Sequence, residues 1–273
     1  MHDSLSPPRA VLHLMHNTTA AQALTKHPGR GAPVLLLHGS TLDSRSFTDL
    51  IPHLGGRPLW IPDQRGHGLH AERSAYVWAD LTEDLVALLR TAETPVDVIG
   101  VSLGGILGVE LALSHPHLIR SVCLVGAAVD GENPATRERA ETIMAALHAH
   151  DLEPLIPMVI QLFLGASGSD LRLARAVDEQ VRNTGAIGVI NGLAATIERP
   201  DLRPRLSALT LPLLCLWGEH DGAISAARCR DTAERLPGAA WAEIAGGNHL
   251  IANEFPDEIG RRICAWWAAH ALV

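Results

Sequence analysis

The sequence predicts an α/β protein with a parallel sheet, helices on both faces and a helical insertion. From residue 33 to 130, short apolar runs alternate with helical stretches, which is typical of parallel strands covered by helices. From 131 to 206 the alternation stops, and four helical stretches follow one another without a strand. The alternation then resumes. We therefore expect a core of residues 1–130 and 207–273 and a helical cap, or lid, of residues 131–206.

Each element of this fold is expected where the local pattern changes. Strands before the insertion are expected at the apolar runs 34–37, 57–62, 95–100 and 121–125. Helices between them are expected over 80–91 and 103–114. Breaks containing glycine or proline divide the insertion into the helical segments 134–150, 152–164, 170–183 and 187–199. After it we expect strands at 211–217 and 241–244 and a last helix over 256–270.

The composition argues against several classes of partner. Of the 273 residues, 47% are apolar and 19% are charged, as in ordinary globular proteins. The net charge is −8 and no basic cluster is present, so we expect no nucleic-acid surface. The apolar runs are far shorter than a membrane span. We expect a small-molecule substrate, no membrane partner, and a monomer or homodimer.

The four cysteines are widely spaced and form no CxxC pair. Cys123 and Cys215 stand within apolar strand-like runs, which favours buried side chains over a zinc site or a disulfide framework. Accordingly, we expect neither a metal nor a cofactor. The segment Met1–Pro8 has no basic region followed by an apolar core. We therefore expect no secretory signal and a cytoplasmic location.

The most informative stretch of the chain runs from Gly100 to Gly104, with Ser102 at its centre. A strand-like run precedes it and a helix-like run follows it. A serine in such a tight strand-to-helix turn is held in a strained conformation, and the flanking glycines leave room for close approach. The turn exposes the hydroxyl beside a helix N-terminus, where negative charge is stabilised. This pattern favours a nucleophilic role for Ser102 over a merely structural glycine turn.

A nucleophilic serine needs a base, and the base needs a carboxylate that orients it. His249 lies in a glycine-rich loop between the last strand and the last helix, which favours it among the fifteen histidines. Asp221 follows the strand at 211–217, and the order serine, aspartate, histidine suits this architecture. Asp130, which follows an earlier strand, and the neighbouring Glu219 are alternative acids.

Acyl chemistry also needs donors for the oxyanion of the transition state. We expect one to be the backbone N–H of Leu103 and the other the backbone N–H of Ser40, directly after His38-Gly39 at a strand end. His38 is expected to be a structural hydrogen-bonding residue of that loop. His220, beside the predicted acid, is expected to face solvent.

The loop Asp63–Gly68 has the sequence D-Q-R-G-H-G and follows a strand. Its charges are compatible with substrate binding, but loop architecture is the favoured interpretation. We expect Asp63 and Arg65 to lock the turn through local hydrogen bonds.

Together these motifs resemble the α/β-hydrolase superfamily from about residue 30 to the end of the chain. The resemblance rests on five stretches in the family's order: His38-Gly39, the loop Asp63–Gly68, the elbow Gly100–Gly105, the acid loop Gly218–Asp221 and the histidine loop Gly247–His249. It implies an eight-stranded, mostly parallel sheet with a helical lid after the sixth strand. The reaction it implies proceeds through an acyl-enzyme on Ser102.

Departures from particular branches of the family narrow the activity. Epoxide hydrolases and dehalogenases resemble this fold but carry aspartate where this chain has Ser102. Hydroxynitrile lyases of the plant type use a lid lysine, and residues 131–206 contain none. Carbon–carbon bond hydrolases often have asparagine where Val101 stands, which disfavours that activity without excluding it. Cofactor-free haloperoxidases share the whole predicted triad.

The sequence therefore favours a serine hydrolase of a carboxylic ester, lactone or thioester of a small to medium apolar acyl compound. A carbon–carbon bond hydrolase, an acyltransferase, or a lyase or cyclase with the same triad is the alternative, and a non-catalytic receptor is a minor one. Part of the apolar set in the lid should line the substrate pocket: Leu155, Ile156, Met158, Val159, Leu162 and Phe163.

Overall fold

One sheet of seven strands, in the order β1-β3-β2-β4-β5-β6-β7, runs through the described residues. The computed structural model describes residues 23–70, 74–131, 134–147 and 151–272. The strands are β1 Leu24–His27, β2 Val34–Leu37, β3 Leu59–Pro62, β4 Val96–Val101, β5 Ile119–Val125, β6 Leu213–Gly218 and β7 Ala240–Ile244. Strand β1 pairs antiparallel with β3, and all other neighbours are parallel.

Helices lie between these strands and after the last of them. They are α1 Trp78–Leu89, α2 Leu103–Ser114, α3 Pro134–Ala146, α4 Leu155–Leu164, α5 Leu171–Ile197, α6 Ala226–Arg235, α7 Ile251–Glu254 and α8 Pro256–Ala269. The elements α3, α4 and α5 lie in sequence between β5 and β6, where the sequence predicted four helices and no strand. Glycine 185 has φ +72° inside α5, so the expected break between two helices is a kink within one assigned helix.

The side chains of the central strands alternate between two apolar layers. Leu35 and Val98 pack with α1, α2 and α6 on one face of the sheet. Leu36 and Ile99 pack with α8 on the other. This explains why the strands are apolar throughout, since a sheet covered on both faces buries every side chain. A third apolar cluster joins α3, α4 and α5 to Leu42 and Leu250 of the core.

Several expectations need qualification. The eighth strand implied by the resemblance is not confirmed, because the described residues contain seven. The helix expected over 134–150 ends at Ala146, and residues 148–150 lie outside the described ranges. The expectations about Met1–Pro8 also fall outside them. Strand β1 and helix α6 were not expected from the sequence.

Two further observations concern the described residues alone. None of their helices combines the length and apolar character that a membrane crossing requires. Cys123, Cys215 and Cys229 are buried and free, and burial raises the pKa of each thiol.

Candidate active site

Ser102 occupies the sharp turn between β4 and α2. Its backbone has φ +52° and ψ −117°, a region that non-glycine residues rarely adopt. The turn is held by its own backbone, since the Ser102 N–H donates to the Val125 carbonyl at 2.9 Å and the Ser102 carbonyl accepts from Gly105 at 2.9 Å. Strain of this kind costs of order 1–3 kcal/mol and persists only where surrounding structure enforces it.

The two glycines that flank Ser102 at a distance of two residues are required by close packing. A Cβ atom at Gly100 would lie 2.3 Å from the backbone of Gly104, and one at Gly104 would lie 2.0 Å from the Leu37 carbonyl oxygen. No side chain fits at either distance. The glycine pattern seen in the sequence therefore has a direct steric cause.

Asp221 and His249 form a buried pair at the ends of β6 and β7. The His249 Nδ1–H donates to Asp221 Oδ2 at 2.8 Å, and His249 is 1% exposed. Asp221 Oδ1 accepts the backbone N–H groups of Ala223 and Ile224, both at 2.8 Å. These bonds fix the carboxylate and the tautomer of the imidazole. The Nε2 atom is left with a lone pair that can accept a proton.

The loops that carry this pair are tied to each other and to α4. The His220 N–H donates to the Gly247 carbonyl at 2.8 Å, which joins the two loops. The backbone N–H of His249 donates to the Phe163 carbonyl at 3.0 Å, and the two rings lie 4.9 Å apart between centroids. The position of His249 therefore depends on α4 as well as on the sheet.

Ser102 and His249 line the same cavity, which has a volume of about 80 Å³. In the described part of the chain, the Ser102 hydroxyl has no hydrogen bond to His249. Such bonds are often long in unliganded enzymes and tighten when substrate binds. A larger surface groove of about 800 Å³ lies between α4 and α5 and contains neither residue.

The loop after β2 lies directly against Ser102. A Cβ atom at Gly39 would be 3.3 Å from Ser102 Cβ and 4.0 Å from its Oγ. Ser40 and Thr41 line the cavity. Within the described residues, the backbone N–H groups of Ser40 and Leu103 have no hydrogen-bond acceptor.

Two buried histidines hold the backbone of this loop through hydrogen bonds. His38 Nδ1 donates to the Gly39 carbonyl, and Nε2 accepts the Gln64 N–H at 2.9 Å. His67 donates to the Arg65 carbonyl and accepts the Thr41 N–H at 3.3 Å. Burial lowers the pKa of His38, and burial together with His38 lowers the pKa of His67 to about 3. Both rings hold loop backbone, as expected for His38.

The loop Asp63–Gly68 has an architectural role in the structure. Asp63 accepts the N–H of Leu69 at 2.7 Å within the turn and that of Ser44 at 2.8 Å across it. Arg65 bonds within the turn through its carbonyl, which accepts from His67 Nδ1 at 2.9 Å, and outside the turn through its side chain. It makes a bidentate pair with Asp84 of α1, at 2.7 and 2.8 Å, because its long side chain reaches the neighbouring helix.

The alternative acids lie elsewhere. Asp130 pairs with Arg228 at 2.7 Å, whereas His249 bonds to Asp221. Glu219 is exposed and accepts the Gly246 N–H at 2.9 Å. His220 is exposed, as expected. No three metal-binding side chains lie close enough together, within the described ranges, to hold a metal ion.

The cavity walls come mainly from the helices between β5 and β6. Of the apolar residues expected in the lid lining, Leu155, Val159, Leu162 and Phe163 reach the cavity. Ile156 lines the outer groove instead, and Met158 is 51% exposed. Sequence reasoning missed four polar lining residues: Thr41, Thr136, Arg139 and Thr196. No motif marks them, because their place depends on how the helices fold over the sheet.

Residues 34–262 match the model of the Alpha/beta hydrolase family. The chain belongs to the α/β-hydrolase family. The matched residues include the elbow at Ser102 and both loops of the Asp221–His249 pair, so the resemblance drawn from the motifs is confirmed.

Curated relatives of this α/β-hydrolase span most of its length. The 2-(acetamidomethylene)succinate hydrolase of Mesorhizobium japonicum is 28% identical over 86% of this chain and 87% of its own. The magnesium-chelatase 30 kDa subunit of Rhodobacter capsulatus is 30% identical over 88% of each chain. The pimeloyl-(acyl-carrier protein) methyl ester esterase of a Shewanella species is 27% identical over 77% of this chain and 82% of its own. The chain is thus an enzyme of the α/β-hydrolase superfamily with esterase-like relatives.

Solved structures share the fold. A thermophilic esterase from Thermogutta terrifontis superposes with a TM-score of 0.82 at 20% identity, covering 90% of this chain and 93% of that one. The enol-lactonase of Burkholderia xenovorans superposes with a TM-score of 0.80 at 24% identity, covering 90% and 96%. At these identities the likeness establishes the α/β-hydrolase fold and does not identify a substrate.

Proposed function

We propose that this α/β-hydrolase cleaves carboxylic esters, lactones or thioesters of small acyl compounds through an acyl-enzyme on Ser102. One observation carries the proposal: a strained serine at a strand-to-helix turn shares a cavity with a histidine whose other ring nitrogen is bonded to a buried carboxylate. That arrangement supplies a nucleophile, a base and an orienting acid within one site.

Acylation follows from these positions. The Ser102 Oγ attacks the substrate carbonyl while His249 Nε2 takes the hydroxyl proton, and Asp221 stabilises the resulting imidazolium without itself taking a proton. The tetrahedral oxyanion accepts hydrogen bonds from the backbone N–H groups of Leu103 and Ser40. The carbonyl then re-forms, and the alcohol or thiol leaves with the proton that His249 held.

Deacylation repeats the sequence with water. His249 takes a proton from the water, which attacks the acyl carbonyl. The second tetrahedral species collapses, Ser102 leaves as the alkoxide and regains its proton from His249, and the carboxylic acid is released. Each oxyanion-hole donor of this kind is typically worth about 2.7–4 kcal/mol of transition-state stabilisation.

The helices α3, α4 and α5 act in this proposal as the cap over the site. They supply aliphatic walls, including Ile143, Leu155 and Val159, and α4 also holds the backbone of His249. The cavity of about 80 Å³ is well below the roughly 300–1,000 Å³ of pockets for drug-sized ligands. Its size favours a short acyl chain.

The names of two relatives support hydrolysis. One is a methyl ester esterase, and another hydrolyses 2-(acetamidomethylene)succinate. The bond that this chain cleaves is assigned from its own site, since one fold carries many reactions.

Steady-state hydrolysis of a panel of methyl and p-nitrophenyl esters, lactones and β-diketones tests the proposal. We expect turnover of short esters or lactones with stoichiometric release of acid, and we expect Ser102→Ala to remove it while the melting temperature is retained. Cleavage of β-diketones by an ester-inert protein would instead favour the carbon–carbon bond hydrolase. A folded protein inert to the whole panel and to acyl transfer would favour a receptor.

A further inference from the structure

The cavity that holds Ser102 is apolar apart from a few groups, and one of these is charged. Besides the His249 imidazole, Arg139 is the one ionisable side chain among the described residues that line it. Arg139 lies on α3, close to aliphatic walls formed by Ala140 and Ile143. Arg139 is partly buried in this mostly apolar cavity and needs an explanation, because charged side chains are costly to remove from water.

Arg139 pairs with no acidic side chain among the described residues. Its guanidinium donates to two backbone carbonyls, that of Ala223 at 3.0 Å and that of Gly222 at 3.4 Å. No carboxylate of the described chain lies within ion-pair distance of it. A guanidinium has five N–H donors in a planar fork, so two carbonyl bonds leave donors available for a ligand.

The charged groups around Arg139 do not neutralise its positive charge. The neighbouring Arg228 is neutralised by Asp130 at 2.7 Å, and Arg199 lies 3.8 Å from the same carboxylate. Burial lowers the pKa of Arg139, and the positive charge of Arg228 lowers it further. Asp221 provides some attraction, but its oxygens are engaged by His249 and by two backbone N–H groups. An anion bound to Arg139 would remove this imbalance.

We propose that Arg139 binds a carboxylate of the substrate that is separate from the bond being cleaved. This inference rests on the proposed function and specifies its substrate class: esters or lactones that carry a second, free carboxylate, such as half-esters of short dicarboxylic acids. The planar fork of arginine matches a carboxylate in a bidentate manner. The aliphatic walls and the small volume fit a short chain between the two groups.

Pairs of substrates matched in shape provide the test. Monomethyl glutarate carries the carboxylate on the acyl side, and methyl 5-oxohexanoate replaces it with a neutral acetyl group. O-acetylglycolate carries the carboxylate on the alcohol side, and acetoxyacetone is its neutral counterpart. We expect the wild-type enzyme to prefer the anionic member of one pair, mainly through a lower KM, and that pair identifies the side that Arg139 binds.

The variant Arg139→Gln should lose about 10- to 100-fold in kcat/KM on the preferred anionic ester, the range for one charged hydrogen-bonding group. The ratio of kcat/KM on the anionic ester to kcat/KM on its neutral counterpart should fall by a similar factor, because loss of the two carbonyl bonds affects both esters alike. Arg139→Lys should restore part of this ratio. Arg137→Gln is the matched control, because Arg137 lies on the same helix and does not line the cavity.

Two results would overturn the inference. One is equal wild-type activity on both members of each pair. The other is a parallel loss on charged and neutral esters in Arg139→Gln, which would make the arginine only a tether between α3 and the Asp221 loop. Either result leaves ester hydrolysis intact, whereas failure of the wild type on every ester would contradict the proposed function itself.

Discussion

Two buried aspartates lie at the amino edge and the carboxyl edge of the parallel sheet, where its strands begin and end. Their negative charges are compensated in different ways. Asp97, at the start of β4, is fully buried and accepts bonds from Arg57 at 2.6 Å, Ser121 at 2.6 Å and Arg120. Asp221, at the end of β6, is 8% exposed and accepts from backbone N–H groups and from His249. In the described residues no arginine or lysine bonds to Asp221.

This difference indicates a structural role for the charge of Asp97 and, in our proposal, a catalytic role for that of Asp221. Two guanidinium groups compensate Asp97 permanently, and Arg57 also stacks 4.5 Å from the ring of Trp267. In our proposal, the positive charge that bonds directly to Asp221 arises on His249 when the imidazole takes a proton during the reaction. The same residue type therefore stabilises the fold at one edge and, in our proposal, the transition state at the other.

The largest expected effect is on activity, at the carboxyl edge. Asp221→Asn retains a similar shape but no longer holds the imidazole in the tautomer that the proposal requires. We expect kcat on a preferred ester to fall by about 10⁴-fold, the scale of this substitution in a Ser-His-Asp enzyme, with a small change in melting temperature. Glu219→Gln, two residues earlier and exposed, is the control and should change kcat little.

At the opposite edge we expect an effect on stability. Asp97→Asn leaves the buried Arg57 and the partly exposed Arg120 without their counter-charge, and breaking a buried pair costs about 3–5 kcal/mol. Urea unfolding should show this loss, while kcat of the folded fraction stays near wild type. Asp201→Asn, in an exposed pair with Arg203, should cost within about 1 kcal/mol. A large loss of kcat in folded Asp97→Asn would contradict the division between the two edges.

A smaller effect is expected from His67, which holds the Thr41 backbone at the carboxyl edge. The unfolded chain protonates this residue near pH 6.5, whereas the folded pKa is about 3. Between these values the unfolded state binds more protons, so stability is complete above about pH 6.5 and declines as the pH falls. His67→Asn should flatten the slope of unfolding free energy against pH by up to about 1.4 kcal/mol per unit.

The control for this measurement is His220→Asn, because His220 is exposed. Its slope of stability between pH 6.5 and pH 4 should match that of the wild-type protein. Identical slopes in wild type and His67→Asn would show that His67 titrates alike in both states.

Much of the fold follows from local pattern. Helix α2 begins at Leu103 and ends at Ser114, as expected, because the glycine-rich turn fixes its start. Strand β1 was missed because its four residues are mostly polar and half-exposed at the sheet edge. Helix α6 was missed because most of its residues are polar and few of them are buried.

The residues of the candidate site likewise fall into those that the sequence predicted and those that it did not. Ser102, Asp221 and His249 stand in motifs whose spacing signals their chemistry, so they were found from sequence. Arg139 and Thr41 carry no such signal, since their positions depend on how the inserted helices and the loop after β2 meet. Asp97 also escaped notice, because its partners Arg57 and Arg120 are distant in the chain and meet it only in the folded sheet.

Covalent labelling of the nucleophile examines the proposed chemistry most directly. The wild-type protein is treated with a fluorophosphonate, and the adduct is located by mass spectrometry of the intact chain and its peptides. We expect one adduct per chain, on Ser102, absent in Ser102→Ala and formed far more slowly in Asp221→Asn. A folded wild-type protein that stays unlabelled, or that is labelled at another residue, would contradict the assignment of Ser102.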